Sequence, residues 1–354
     1  MRAIASVAVV AVVVLAGCVG GLGAVDSTGA STPDFAPGVA ADGITDPTEL
    51  LAAHEEVLAG IGYELSLELD YSATDGSMSQ SKQVTVGTDG AFTIAERSTY
   101  GDQTARRALF SDGTLAYERD EFTGEATYSG YDADIAYSEL TGSEVLQTFL
   151  STVSYEASEV QRDGKTVTLL QADDVSADPL GLGDGATVTS TIVVGTDGLV
   201  QSLEATATVG SGEEARTVTV TYTVTPASPT VTEPNWVSQH RDEMTIADLE
   251  YTIQGDALKV KHVGGDVLPE GTEITLVVQQ EDGDVTVTYA TLDGDLATGQ
   301  TASVHNVGSD EQATAYVGGH EDPEGGTVID GFVEVTVRNG MSLVDVDFLT
   351  SDDE

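Results

Sequence analysis

Tyr63-Glu64-Leu65-Ser66-Leu67-Glu68-Leu69-Asp70-Tyr71-Ser72 alternates a large apolar side chain with a small polar or acidic one over its whole length. A two-residue period of this kind predicts a strand with one buried and one solvated face. The residues just upstream follow a different period. Asp46-Pro47-Thr48-Glu49 is a helix-start signature, with Asp as N-cap, Pro at the first helical position and Glu three residues on. Leu50, Leu51, Val57, Leu58 and Ile61 recur at helical spacing, and Gly60 with Gly62 end the run. One amphipathic helix therefore leads directly into sheet.

Downstream, strand patterns are punctuated by Asp-Gly and Asn-Gly pairs, among them 89–90, 112–113, 163–164, 197–198 and 339–340. Such pairs tolerate the positive φ angles of tight hairpins. Val84-Thr85-Val86-Gly87-Thr88-Asp89-Gly90 and Ile192-Val193-Val194-Gly195-Thr196-Asp197-Gly198 read as two similar hairpins. A second helix is expected where Thr141 and Glu144 form a capping box ahead of Val145, Leu146, Phe149 and Leu150. Strands near 153–160, 165–172, 186–195, 199–209 and 215–225 complete a meander. Pro226 to Pro234 reads as a Pro/Ser/Thr linker and a domain boundary. Residues 235–354 show short strands and almost no helix pattern, except around Arg241–Leu249, which suggests a compact β-sandwich.

The chain has 354 residues, with 13 Lys+Arg against 60 Asp+Glu and a formal net charge of −47. A surface this negative repels phosphate backbones and argues against nucleic-acid binding. One cysteine excludes an intrachain disulfide framework and any Cys-based zinc cluster. The carboxylates are spread through strands and turns, and Lys82, Lys165, Lys259 and Lys261 are the only lysines. At ~1 M salt the Debye length falls to ~3 Å, so repulsion across such a surface is largely screened. In these respects the chain resembles secreted proteins of haloarchaea, and its folding is expected to depend on salt. A thermal midpoint unchanged between low and molar KCl would count against that expectation.

Arg2 is followed by an apolar run, Ala3 to Ala16, too short for a permanent membrane span of ~20 residues. It suits the apolar region of a secretory signal. Leu15-Ala16-Gly17-Cys18 closes the run and resembles the lipobox of bacterial-type lipoproteins. That resemblance implies cleavage after residue 17 and lipidation of the Cys18 thiol, with the mature protein moored at the extracellular face of the cell membrane. An ordinary signal peptide with a chance cysteine, or an uncleaved anchor, stays open as an alternative. Residues 18–45 lack periodicity and read as a flexible tether.

With a leading amphipathic helix, a long antiparallel meander and an apolar helix in mid-chain, residues 46–225 resemble the LolA-type lipoprotein-carrier fold. The resemblance implies a curved antiparallel half-barrel covered by helices, with a hydrophobic cavity for acyl chains between sheet and helices. Independently, alternation at Leu65/Leu67/Leu69, Val84/Val86, Phe92/Ile94 and Val218/Val220/Tyr222/Val224 predicts one wide apolar sheet face. Only two short helix stripes are available to cover it. Such a sheet either packs fully or leaves a cavity, and apolar cavities take apolar ligands. The expected lining is Leu67, Val86, Phe92, Ile94, Leu146, Phe149, Leu150 and Val194.

Leu258-Lys259-Val260-Lys261-His262-Val263-Gly264-Gly265-Asp266 is similar to a segment of the β-sandwich in archaeal type IV pilin-like surface proteins. This implies a small Ig-like module as the second domain, residues 235–354. The expected fold class is thus mainly β, an α+β half-barrel domain followed by that sandwich.

No G-x-S-x-G, P-loop or H-E-x-x-H motif is present. His54-Glu55-Glu56 begins like the last of these, lacks the second His and reads as a solvated helix face. His262 reads as a strand-end residue with a backbone partner. The acidic turns Asp293-Gly294-Asp295 and Glu321-Asp322-Pro323-Glu324 read as solvated loops, with Ca²⁺ as the competing reading. No cofactor, metal or catalytic residue is assigned. The expectation is a non-catalytic, membrane-anchored surface lipoprotein whose partner is a lipid or lipidated protein. The alternative is a cell-envelope interaction module with a filled core, its partner an envelope protein.

Overall fold

The computed structural model describes residues 35–74, 76–133, 135–280, 284–305, 312–318 and 327–351. The signal region, Cys18 and the 321–324 turn lie outside the described residues. A small hairpin of β1 (Val39–Ala40) and β2 (Gly43–Ile44) leads into α1 (Pro47–Ala59). The helix starts as its sequence signature predicts. Asp46 is the N-cap, and its Oδ1 accepts the backbone N–H groups of Thr48 and Glu49, each at 3.0 Å.

There follow β3 (Gly62–Ala73), β4 (Gly76–Val86), β5 (Phe92–Tyr100), β6 (Gln103–Ser111), β7 (Leu115–Phe122) and β8 (Glu125–Asp132). Two helices come next, α2 (Tyr137–Thr141) and α3 (Ser143–Thr152). The chain then returns through β9 (Glu156–Arg162), β10 (Lys165–Ser176), β11 (Thr187–Gly195), β12 (Val200–Val209) and β13 (Arg216–Ala227). All neighbours are antiparallel, in the order β9-β10-β11-β12-β13-β3-β4-β5-β6-β7-β8. The central pairing, β13 with β3, joins the two ends of this half of the chain. The result is a large, open, curled sheet.

One helix start differs from its sequence reading. Thr141 ends α2 instead of capping α3, and its hydroxyl donates to the Tyr137 carbonyl. Gly142, at φ +63°, is the residue between the helices, and Glu144 pairs with the Ser138 hydroxyl at 3.3 Å. The Gly142 turn, which a capping box does not anticipate, lets two short helices follow one another with a change of direction.

The chain continues through α4 (Asn235–His240), a 3-10 turn (Arg241–Glu243), β14 (Ala247–Gln254), β15 (Ala257–Gly265) and β16 (Glu273–Gln280). The remaining strands are β17 (Val285–Leu292), β18 (Thr301–His305), β19 (Gln312–Val317), β20 (Gly331–Asn339) and β21 (Ser342–Thr350). The helical segment expected at 241–249 thus lies earlier, at 235–243, and Ala247 already begins a strand. Pairing runs β14-β15-β18-β19-β17-β16-β20-β21, with β19 antiparallel to β18 and parallel to β17. Leu258, Val260, Leu276, Val278, Val333 and Val335 belong to a second buried core. Tyr251 of β14 donates to Asp345 of β21 at 2.8 Å across its end.

Residues 226–234 are held against the rest of the molecule. Pro226 and Ala227 still pair with β3, and Val231 joins a small core formed by Phe110, Tyr117, Val237 and Met244. The Arg241 guanidinium lies 5.0 Å from the Tyr117 ring centroid, and Tyr128 stacks on His240 at 4.0 Å. These contacts tie α4 to the outer face of β6–β8.

Candidate functional site

Direct cross-strand partners point to the same sheet face, so the observed register can be read across the curled sheet. One inner-face row runs Leu203, Tyr222, Leu67, Lys82, Glu96, Arg107, Asp120 from β12 to β7. The next row runs Val224, Leu65, Val84, Ile94, Leu109, Glu118. The face is apolar on one side and becomes charged on the other, with the change at β4 in the first row.

The apolar side is covered by α1 and α3. Leu50, Leu58, Leu146, Phe149 and Leu150 are buried in one cluster with Leu65, Leu203 and Val220. Beside α3 the cover stops short and leaves a groove of about 540 Å³. Leu67, Leu69 and Val220 form its floor, Val145, Thr148 and Phe149 one wall, and Pro179-Leu180 of the β10–β11 connection another. Lys82, Glu96 and Glu144 stand at its polar end, where Lys82 Nζ contacts Glu96 Oε1 at 2.8 Å.

Of the eight residues expected to line a cavity, Leu67 and Phe149 border this groove. Ile94, Leu146, Leu150 and Val194 are buried in the packed core, as is Phe92, and Val86 packs against that core half-buried. Among the apolar lining, sequence reasoning missed Leu69, Val145, Pro179, Leu180 and Val220. Leu69 and Val220 continue alternations already noted, and Val145 belongs to the α3 stripe. Only Pro179 and Leu180, in a Gly-rich connection, carry no periodic signal.

Beyond the groove the charged row forms a network. Arg107 forks onto Glu118, Nε to Oε1 at 2.6 Å and Nη2 to Oε2 at 3.2 Å, and lies 3.6 Å from both Glu96 and Glu139. Tyr131 donates its hydroxyl to the same Glu118. Burial pushes the Glu118 carboxyl up, but the hydrogen bonds from Arg107 and Tyr131 hold it below the usual range. Asp120 is pushed the other way, to about 6, by burial first and by the neighbouring Glu118 charge second.

His54 contradicts its expected place on a solvated helix face. It is completely buried under α1. Its Nδ1 accepts the Val200 N–H at 3.2 Å, which puts the ring proton on Nε2. Tyr222 Oη lies 3.1 Å from Nε2 and donates its own proton to the Thr141 carbonyl at 2.9 Å. Burial lowers the His54 pKa to about 4, with a backbone hydrogen bond at Thr141 opposing it. A neutral imidazole thus ties α1, the sheet and the α2–α3 turn together. All its polar atoms are used structurally.

His262 is also buried. Its Nε2 lies 2.6 Å from the Asp266 carbonyl, the backbone partner expected of a strand-end histidine. Asp293 and Asp295 use carboxylate oxygens to accept the backbone N–H groups of Val317 and Glu270. Among the described residues no group of three or more His, Cys, Asp or Glu is placed to hold a metal ion. Among the same residues, no helix is long and apolar enough to cross a membrane.

A profile of the Family of unknown function (DUF7537) matches residues 3–240, more than half of the chain. The chain belongs to this family. The DUF7537 match takes in the curled sheet, all of α1 to α3 and α4, and ends just before the 3-10 turn. No curated protein matches the sequence. Among solved structures, similarity is found to MucB in complex with MucA(peri), at 14% identity and TM-score 0.23, covering 82% of this chain and 87% of that one. A putative outer membrane lipoprotein-sorting protein domain from Vibrio parahaemolyticus is 12% identical at TM-score 0.16, covering 55% of this chain and 99% of its own. A DUF1329 family protein from Desulfovibrio piger is 7% identical at TM-score 0.17, covering 55% and 97%.

Proposed function

We propose that this DUF7537 protein is a non-catalytic surface lipoprotein that holds a hydrophobic ligand, a lipid or the lipid of a lipidated protein, in the groove beside α3. The observation that carries the reading is the incomplete cover of the apolar face. Leu67, Leu69, Val145, Phe149 and Val220 border open space of about 540 Å³, whereas the same face packs fully beneath α1. That volume falls within the ~300–1,000 Å³ usual for small-molecule sites. On this reading residues 46–225 act as a LolA-type half-barrel and residues 235–354 as an Ig-like module of the pilin-like kind, in a salt-adapted archaeal protein. A lipid on Cys18 moors both outside the membrane, and stable anchoring needs two chains, since one gives only marginal attachment.

The test is organic extraction and mass spectrometry of protein purified from its native membrane at high salt. A stoichiometric lipid is expected. Val145→Trp fills the groove from a half-buried helix position. It should reduce binding of a fluorescent fatty acid or isoprenoid analogue about tenfold, roughly 1.4 kcal/mol, with the thermal midpoint kept. Absence of any lipid, together with unchanged analogue binding in the variant, would return the protein to the envelope-interaction reading. Partition into the detergent phase, lost in Cys18→Ser, separately tests the anchor.

A further inference from the structure

Two of the four lysines of this strongly acidic chain stand together on the outer face of the β14–β15–β18 sheet. The register places Thr252, Lys259 and Ser303 in one row and Glu250, Lys261 and Thr301 in the next, so both ammonium groups share a face. The segment before β18 walls that face. Gly299 donates its N–H to the His262 carbonyl at 2.7 Å, and Gln300 accepts the His262 N–H at 3.0 Å. The open groove there measures about 560 Å³. Its lining includes Lys259, Lys261, Thr252, Gln254, Gln300 and Ser303, and among the described residues no lining residue is acidic. In a chain with 60 carboxylates against 13 cations, a groove lined by two lysines, one of them paired with Glu250, departs from the surrounding charge.

The two lysines are held differently. Lys259 is half-buried and donates to the Ser303 hydroxyl at 2.8 Å. An ammonium has three N–H donors, so this bond orients Lys259 and leaves others for a ligand. Lys261 pairs with Glu250 at 2.6 Å, and both are exposed. Exposed ion pairs are weak, so a second anion recruits Lys261 at little cost. The Gln300 side-chain carbonyl accepts the Ala297 N–H at 2.7 Å, which fixes its amide and makes its NH₂ a donor toward the groove.

We propose that this groove is a binding site for an acidic saccharide, whose carboxylate or sulfate groups meet Lys259 and Lys261. Its ring hydroxyls meet the hydroxyls and amides of Thr252, Gln254, Gln300 and Ser303. The two ammonium groups favour an acidic ligand over a neutral one, and the groove is larger than a single inorganic anion fills. A long polyanion such as nucleic acid would extend past the groove onto the carboxylate-rich surface and be repelled. A short acidic oligosaccharide stays within it.

The full mature protein should be titrated calorimetrically at the lowest KCl that keeps it folded. The probes are tetragalacturonate, its methyl-esterified neutral counterpart, a sulfated disaccharide and potassium phosphate. At least one acidic saccharide is expected to bind, and more tightly than either the ester or phosphate. The double variant K259Q/K261Q, or Thr252→Glu alone, should weaken that binding at least about tenfold, roughly 1.4 kcal/mol. Lys165→Gln, elsewhere in the chain, should leave it unchanged. Failure of both acidic saccharides to bind overturns the site, as does equal binding by wild type and both lysine-groove variants. Phosphate binding as tight as the saccharide overturns the choice of ligand.

Discussion

The inner face of the curled sheet has two halves built on one continuous register. Leu203, Tyr222 and Leu67 occupy the same row as Lys82, Glu96, Arg107 and Asp120. On the first half two helices cover the sheet and His54 is buried neutral among apolar side chains. On the second half the same row is held by ion pairs, and Arg107 answers several carboxylates at once. Backbone pairing is alike in both, so the sheet itself does not decide where a groove opens. Cover decides it. An apolar row draws a helix down, a charged row does not, and the groove lies at the seam, with Leu67 in its floor and Lys82 at its polar end.

The largest difference should appear on truncation. Leu203 is fully buried in the covered half, and Leu203→Ala should cost about 2–5 kcal/mol in denaturant unfolding. Ser98, half-buried on the same face near the seam, should cost less than about 0.5 kcal/mol as Ala. Equal losses would mean that both halves are packed alike.

Acid separates the halves by sign. His54 has a folded pKa of about 4 against an ordinary 6.5, so the unfolded chain binds more protons between those values. Its contribution is complete above pH 6.5 and is lost as pH falls toward 4, by at most about 3 kcal/mol. Asp120 runs the opposite way, because its folded pKa is raised to about 6. The stability it allows is present below its ordinary value near 4 and is lost as pH rises through 6. His54→Gln should therefore flatten the acid side of a stability-versus-pH curve, and Asp120→Asn should steepen it over the same window. A common direction for both variants would refute the assignment of two environments.

Much of this division was legible in the chain, and what was not has a physical reason. Leu65, Leu67 and Leu69 announce their strand and its buried face, and Asp46-Pro47 fixes the start of α1. Leu50, His54 and Leu58 are spaced four apart, so the stripe that buries His54 was present in the sequence. It was obscured because histidine chemistry reads as polar until Tyr222 and the Val200 N–H are known to satisfy it. Lys82, Glu96 and Arg107 sit at inward positions of their own strands, but a charge looks solvated until its partner on the next strand is known. The groove lining was harder still. Alternation says which face Ile94 and Leu67 share, and nothing in it says that α3 closes over one and stands off the other.

The two matching hairpins put the comparison on a single residue type. At 84–90 and 192–198 the turns are nearly superposable in their bonding. Gly87 N–H meets Ala91 O and Gly195 N–H meets Leu199 O, both at 2.8 Å, while Asp89 and Asp197 accept the N–H two residues on. Gly90 and Gly198 both hold positive φ, +86° and +90°. Alanine at either position is strained by ~1–2 kcal/mol on backbone grounds. The first hairpin leaves open space around Gly90, whereas a Cβ at Gly198 would stand 2.5 Å from the Ala53 Cβ of α1. Gly198→Ala should therefore cost about 1–3 kcal/mol more than Gly90→Ala, the usual range for overpacking. Combining it with Ala53→Gly should recover most of that excess in a double-mutant cycle, beyond the ~1 kcal/mol that glycine itself costs the helix. Equal losses at the two turns, or strict additivity with Ala53→Gly, would show that α1 does not bear on the covered half at this point.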